Sequence, residues 1–168
     1  MKPLLEALWY ILPAYFANAS PVVFKGKTPM DFGRKFRDGR RILGDGKTWR
    51  GFLGGLLTGT LIAAIQYCLT PDFYGSLDTA LKLGFALSLG ALLGDLIGSF
   101  IKRRMGMPRG YPAVGLDQWG FLIVALILAY PIKTLSTGQV LFLLAVTPFI
   151  HWAANILAHK LGWKNVPW

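Results

Sequence analysis

Asp95, Ser99 and Lys102 stand four and three residues apart in a long apolar run, and a second carboxylate, Asp117, lies beyond a loop crowded by Arg103, Arg104 and Arg109. At 3.6 residues per turn the first three share one helix face. Ionised groups at the end of a hydrophobic span lose hydration, so they are functional candidates by default. Two aspartates beside lysine and arginine suit magnesium, which takes a few carboxylate oxygens together with the phosphate oxygens of a substrate. The same residues also suit an internal salt bridge, Asp95 with Lys102 or an arginine. Asp117 alone, just before Gln118 and Trp119, is more often a helix cap. Spacing alone leaves these alternatives open.

A second constellation is Gly44-Asp45-Gly46-Lys47-Thr48-Trp49-Arg50-Gly51, running straight into an apolar stretch. Arg41 stands where a phosphate-binding loop of the GxxxxGK[ST] kind requires glycine, which excludes a P-loop nucleotidase. What survives is weaker: N–H groups at a helix start with Lys47 and Arg50 nearby make an anion site or a solvated basic turn. His151, Asn155 and His159 recur every four residues. That stripe could ligate a transition metal, but hydrogen bonding between helices accounts for it better. With two histidines, one cysteine and no Ser-His-Asp order, covalent catalysis is poorly supported. Cys68 can form no internal disulfide.

The elements that must position these groups are membrane helices. The 168 residues are 54% hydrophobic and only 15% charged, outside the range of ordinary soluble domains. The chain reads as an all-α integral membrane protein with five transmembrane helices at about 3–18, 52–70, 80–101, 119–135 and 139–160, each close to the roughly 20 residues a bilayer core takes. No separate soluble domain is left over. Lys2, the apolar run from Leu4 and the Ala17-Asn18-Ala19 pattern resemble a secretion signal. Cleavage there would export the basic segment that follows, so a retained helix is expected. Of 18 Lys and Arg residues, nine lie in 19–50, four in 102–118 and two after His159, against Lys2, Lys82 and Lys133 elsewhere. Positive charge stays cytoplasmic. The N-terminus is therefore expected outside and the C-terminus inside, with cytoplasmic loops 19–51 and 102–118 and a site on the cytoplasmic face of the cell membrane.

The net charge of +10 does not point to nucleic acid, since Phe32, Phe36 and Trp49 are too few and scattered to stack bases. Gly51, Gly55 and Gly59 in the second span and Gly90, Gly94 and Gly98 in the third repeat every four residues. Such spacing lets helices approach closely, and close packing of these two spans would bring 45–50 beside Asp95. Trp119 and Trp163 are expected as interfacial anchors.

Together, GDGKTWRGFLGG, then GDLIGSFIKRRMGMP, then GLDQWG resemble the signature of CTP:phosphatidate cytidylyltransferases, the CDP-diacylglycerol synthases. The whole chain, including Ala17-Asn18-Ala19-Ser20-Pro21 and the ending Lys164-Asn165-Val166-Pro167-Trp168, is more similar still to the archaeal branch, the CDP-archaeol synthases. The resemblance implies magnesium-dependent transfer of CMP from CTP to a lipid phosphate with release of pyrophosphate. The acceptor implied is an isoprenoid ether lipid, 2,3-bis-O-(geranylgeranyl)-sn-glycerol 1-phosphate. It also implies metal binding by Asp95 and Asp117. Lys102 and Arg103 match the family's Lys-Arg pair, and Lys47 and Thr48 its Lys-Thr. Gln118 in place of Arg, and Pro108-Arg109-Gly110 in place of a Lys-Asp segment, bear on the acceptor more than on the chemistry.

The residues agree with such a reaction, because a lipid phosphate is already ionised at neutral pH and needs no general base. The expected catalytic set is Asp95, Asp117, Lys102 and Lys47. Asp45, Lys47, Thr48, Arg50, Ser99, Lys102, Arg103 and Arg109 are expected to contact CTP or the lipid phosphate. Alternatives are transfer to phosphatidate, a CTP-dependent polyprenol kinase, or an anion transporter, which would want mid-membrane charges and internal repeats.

Overall fold

Helix starts are written in capping chemistry. In the computed structural model, which describes residues 2–167, Pro3 opens α1 (Pro3–Ala19) and Pro21 opens a single turn, α2 (Pro21–Phe24), where a missing N–H costs nothing. Thr48 caps α3 (Trp49–Leu69) by accepting from the Gly51 N–H at 3.2 Å. Another single turn, α4 (Pro71–Tyr74), precedes α5 (Leu77–Arg104), which Ser76 caps. Gly115 stands at the cap of α6 (Leu116–Ala129), and Ser136 with Gln139 closes a capping box on α7 (Thr137–Lys160).

Among the described residues, four stretches are long and apolar enough to cross a membrane: Pro3–Phe24, Trp49–Leu69, Leu77–Arg104 and Thr137–Lys160. The fourth span expected from sequence, 119–135, is instead the 14-residue α6, about 21 Å at 1.5 Å per residue. Its helix ends at Ala129, two residues before Pro131, a position that cannot continue the ladder.

α5 is the central helix, packed against α6, α3 and α1. Tyr10, Ile11, Leu83, Leu87, Leu122 and Leu143 fill the core. On α3, Leu53, Leu57, Leu61, Ile65 and Leu69 are exposed at four-residue spacing, an apolar stripe suited to lipid. Buried polar side chains tie helices together: Gln66 donates to Trp9 O at 2.7 Å and accepts from Tyr74 OH at 2.7 Å, and Tyr10 OH donates to Lys133 O at 2.6 Å.

The two glycine series do not meet each other as a single seam. A Cβ at Gly55 would lie 2.7 Å from Ala17 O, so that face of α3 receives α1 as well as Leu92 of α5. Cβ atoms at Gly90 and Gly94 would lie 2.5 Å from Ala125 Cα and Gly120 O, both on α6. These two glycines of α5 thus face the α6 backbone and not α3. The α3–α5 contact is served by Gly59, facing Ser88 of α5, and by Gly84, facing Ala63 of α3.

Candidate functional site

One end of the bundle opens into a cavity of about 780 Å³. Its polar wall includes Lys47, Thr48, Asp95, Ser99, Lys102 and Asp117; Val22, Phe121, Ile150 and Ala154 give it an apolar side.

The segment before α3 is held by Asp31. Its side chain is fully buried and accepts N–H groups from Gly33 at 3.1 Å, Leu43 at 2.9 Å and Gly44 at 2.9 Å, and the Arg41 guanidinium at 2.6 Å. Burial alone would raise the Asp31 pKa, but the Arg41 and backbone hydrogen bonds outweigh it and hold the carboxyl well below its usual range. Arg41 in turn reaches Asp45 Oδ1 at 2.6 Å. Short backbone pairings, Met30 N to Lys47 O at 2.7 Å and Trp49 N to Thr28 O at 3.2 Å, then aim Lys47 at α5.

Lys47 Nζ lies 2.5 Å from Asp95 Oδ2, and Lys102 Nζ lies 2.6 Å from Asp117 Oδ1. Asp95 therefore pairs with Lys47 of the loop and not with Lys102 of its own helix. The other oxygen of Asp117 accepts the Ala113 N–H at 2.9 Å, fixing the turn that precedes α6. Capping at the start of that helix falls instead to Gln118, whose Oε1 accepts the Gly115 N–H at 2.6 Å. These pairs are partly shielded, with side-chain exposures of 25% and 32% for the first and 16% and 21% for the second. Attraction in such a setting exceeds that of a surface pair.

Of the residues singled out from sequence, Asp45, Lys47, Thr48, Asp95, Ser99, Lys102, Arg103, Arg109 and Asp117 line this cavity together. Arg50 does not; it is exposed on the first turn of α3. Thr48 spends its hydroxyl on the α3 cap. Trp119, expected at the interface, donates its indole N–H to Leu144 O at 2.9 Å and so joins α6 to α7.

Sequence reasoning missed the last wall. Gly162, at φ 72°, reverses the chain after α7, as a glycine just beyond a helix end commonly does. Trp163, Lys164, Asn165 and Val166 then fold back to line the cavity. Lys164 Nζ donates to Asn155 Oδ1 at 2.9 Å, and His159 Nδ1 is 3.0 Å from Lys164 O. Burial pushes the Lys164 ammonium below its usual range; Asp117 opposes that shift, while Lys102 and Lys47 add to it. The His151–Asn155–His159 stripe thus serves within its own helix and tail, with Asn155 Nδ2 3.3 Å from His151 Nδ1. The signal that could have located this wall was Gly162 ahead of Trp163-Lys164-Asn165.

Among the described residues, no three His, Cys, Asp or Glu side chains gather as a metal cluster. Three carboxylates line the cavity, Asp45, Asp95 and Asp117, and Asp45 is the one engaged by Arg41 of its own loop.

The family model described as "CarS-like: CDP-archaeol synthase" matches residues 1–168. The chain belongs to the CDP-archaeol synthase family. It is 73% identical to the CDP-archaeol synthase of Pyrococcus horikoshii over 168 residues, covering 100% of this chain and 99% of that one. It is 46% identical to the CDP-archaeol synthase of Methanocaldococcus jannaschii, covering 98% and 97%. A solved structure described as an intramembrane enzyme for archaeal membrane lipid biosynthesis superposes with a TM-score of 0.82 at 40% identity, covering 91% of this chain and 94% of that chain. As a member of the CDP-archaeol synthase family, the chain is a CTP-dependent cytidylyltransferase acting on an archaeal lipid phosphate.

Proposed function

We propose that this cytidylyl transfer takes place in the cavity between Lys47–Asp95 and Lys102–Asp117. The observation that carries the reading is the convergence of two lysine–aspartate pairs from three separate segments on one cavity with an apolar side. A phosphate oxygen of the lipid attacks the α-phosphorus of CTP; the new O–P bond forms as the bond to the β-phosphate oxygen breaks, and pyrophosphate leaves. No proton has to be removed from the nucleophile, so the reaction asks for no general base. Two polyanions must meet, so neutralisation of charge is the main demand. Lys47 and Lys102 meet it as phosphate ligands, with Arg103 and Arg109 beside them. Ser99 lies one turn from Asp95, while Asp45 positions the loop through Arg41.

Asp95 and Asp117 fit magnesium, whose shell is commonly one or two carboxylates completed by substrate phosphates and water. Bound there, the ion would add further neutralisation of the phosphate oxygens. The acceptor we favour is 2,3-bis-O-(geranylgeranyl)-sn-glycerol 1-phosphate, its chains beside Val22, Phe121 and Ile150. We also place this end of the bundle at the cytoplasmic face of the cell membrane, with the N-terminus outside, since 15 of the 18 Lys and Arg residues lie in the segments at that end.

The test supplies purified protein with CTP labelled at the α- or γ-phosphate, Mg²⁺, and either the isoprenoid ether phosphate or phosphatidate. We expect α-label in the lipid phase with the ether acceptor preferred, and γ-label in pyrophosphate. Transfer of γ-label to lipid, or preference for phosphatidate, contradicts the reading.

A further inference from the structure

The turn that follows Asp31 carries an unfavourable residue for its geometry. The Arg34 N–H donates to Asp31 O at 2.8 Å, and the two residues between them, Phe32 and Gly33, have φ of 48° and 79°. Positive φ at both central positions marks a type I′ turn, which favours Gly, Asn and Asp. Among the described residues Phe32 is the one non-glycine with positive φ, and its Cβ crowds the backbone there. The ring gains little burial in return: it is 63% exposed and tilts against Trp49 at 6.5 Å. Strain kept at an exposed aromatic points to a role beyond the chain's own packing.

Beyond this turn residues 34–42 form a short hairpin, closed by Phe36 N to Arg40 O at 2.8 Å and Ile42 N to Arg34 O at 3.1 Å. Aromatic contacts fasten the segment to two membrane helices: Phe32 to Trp49, the first residue of α3, and Phe36 to Phe100 of α5, edge to face at 5.4 Å. The 28 residues of α5 run about 42 Å at 1.5 Å per residue, longer than the roughly 30 Å hydrocarbon core, which carries its ends to the headgroup region. Arg34, Lys35, Arg37 and Arg50 are exposed and, among the described residues, form no ion pair. Asp38, the acid of the hairpin, is taken by Arg104 at 2.7 Å.

We propose that residues 31–42 form a membrane-surface anchor, in which Phe32 and Phe36 seat at the bilayer interface while Arg34, Lys35 and Arg37 bind anionic lipid headgroups. Aromatic rings beside unpaired cations are the chemistry by which surface segments hold an anionic bilayer. The contacts to Trp49 and Phe100 set the hairpin at the level where headgroups already lie, which favours lipid over a soluble partner. The inference requires that α3 and α5 span the membrane and does not depend on the reaction proposed above. Since Asp31 also holds Leu43 and Gly44, a seated hairpin fixes the chain just ahead of Lys47.

A bimane probe on Arg37→Cys, in a Cys68→Ser background, reports the depth of the hairpin when the full chain sits in nanodiscs of phosphatidylcholine with or without phosphatidylglycerol. A spin label on the lipid headgroup should quench the probe more than one at the chain end, and severalfold more once phosphatidylglycerol is present. Arg34→Gln together with Lys35→Gln should weaken this attachment by about fivefold per cation removed, as for a basic side chain near an anionic surface, and high salt should act in the same direction. Phe32→Asn should also reduce quenching without lowering the melting temperature in detergent, since asparagine suits the turn. Quenching that ignores phosphatidylglycerol and both sets of variants overturns the proposal. So does a lower melting temperature of Phe32→Asn with quenching unchanged, which makes the ring a structural contact. A probe shielded equally in detergent, with the chain dimeric there, overturns it as well and assigns the patch to a second copy.

Discussion

Lys47 and Lys102 each neutralise one carboxylate, which ties the metal site and the phosphate site to the same few atoms. Removing either ammonium leaves a partly buried aspartate without its counter-charge and removes a phosphate ligand. Lys47→Met and Lys102→Met should each lower kcat/KM by about a hundredfold, given the roughly 2–5 kcal/mol that loss of one partner of a shielded charge pair costs; steady-state transfer of α-label into lipid measures it. Asp31 acts through position alone. Its pKa is depressed in the folded protein, so its contribution is complete above the usual carboxylate value of about 4 and is lost as pH falls through the lower folded-state value. The protection of the amides of residues 28–48 against hydrogen exchange, relative to an unstructured chain at the same pH, should therefore fall on the acid side in the wild type. Asp31→Asn should show rapid exchange already at neutral pH. Exchange in the variant as slow as in the wild type would show that Asp31 does not organise the loop.

The glycines of α5 set how far Asp117 stands from Lys102. Because Gly94 meets the α6 backbone at Gly120 and Phe121, Gly94→Leu must push α6 outward and carry Asp117 with it. We expect a loss of about 1–3 kcal/mol, the range for overpacking, seen as a lower melting temperature in detergent, together with loss of transfer activity. Full activity in that variant would separate the α5–α6 seam from the site. This seam also shows what can be read from sequence. The four-residue glycine spacing revealed close helix packing, and Asp95, Ser99 and Lys102 were recognisable as one face because helical periodicity is local. Which helix each glycine meets depends on tertiary arrangement, so the α5–α6 seam could not be assigned. Lys47 pairing with Asp95 across 48 residues, and the return of Lys164 into the cavity, are non-local in the same sense. Thr48 and Gln118 were legible as polar groups near helix starts, but whether each serves a cap or a substrate depends on the hydrogen bonds only the fold supplies.

At the scale of the whole molecule, charge and apolarity are separated along the bundle axis. The basic loops and the C-terminal tail surround the cavity, while Lys133, at the other end, is held by Phe73 O. Placing the cavity end in the cytoplasm predicts that, in a Cys68→Ser background, a cysteine at Asp38 reacts with a membrane-impermeant thiol reagent only from the cytoplasmic side, and one at Asp72 only from outside. The reverse pattern would invert the topology. The chemistry itself depends on carboxylates held at a membrane boundary against the cost of burying charge, and Asp95 is the one built into a spanning helix. Asp95→Asn preserves shape and hydrogen-bonding capacity while removing the charge. Transfer of α-labelled CMP to the isoprenoid ether phosphate should fall by at least about a hundredfold at saturating Mg²⁺ in a variant that melts as a folded protein; a wild-type rate in that variant would contradict the assignment of the site.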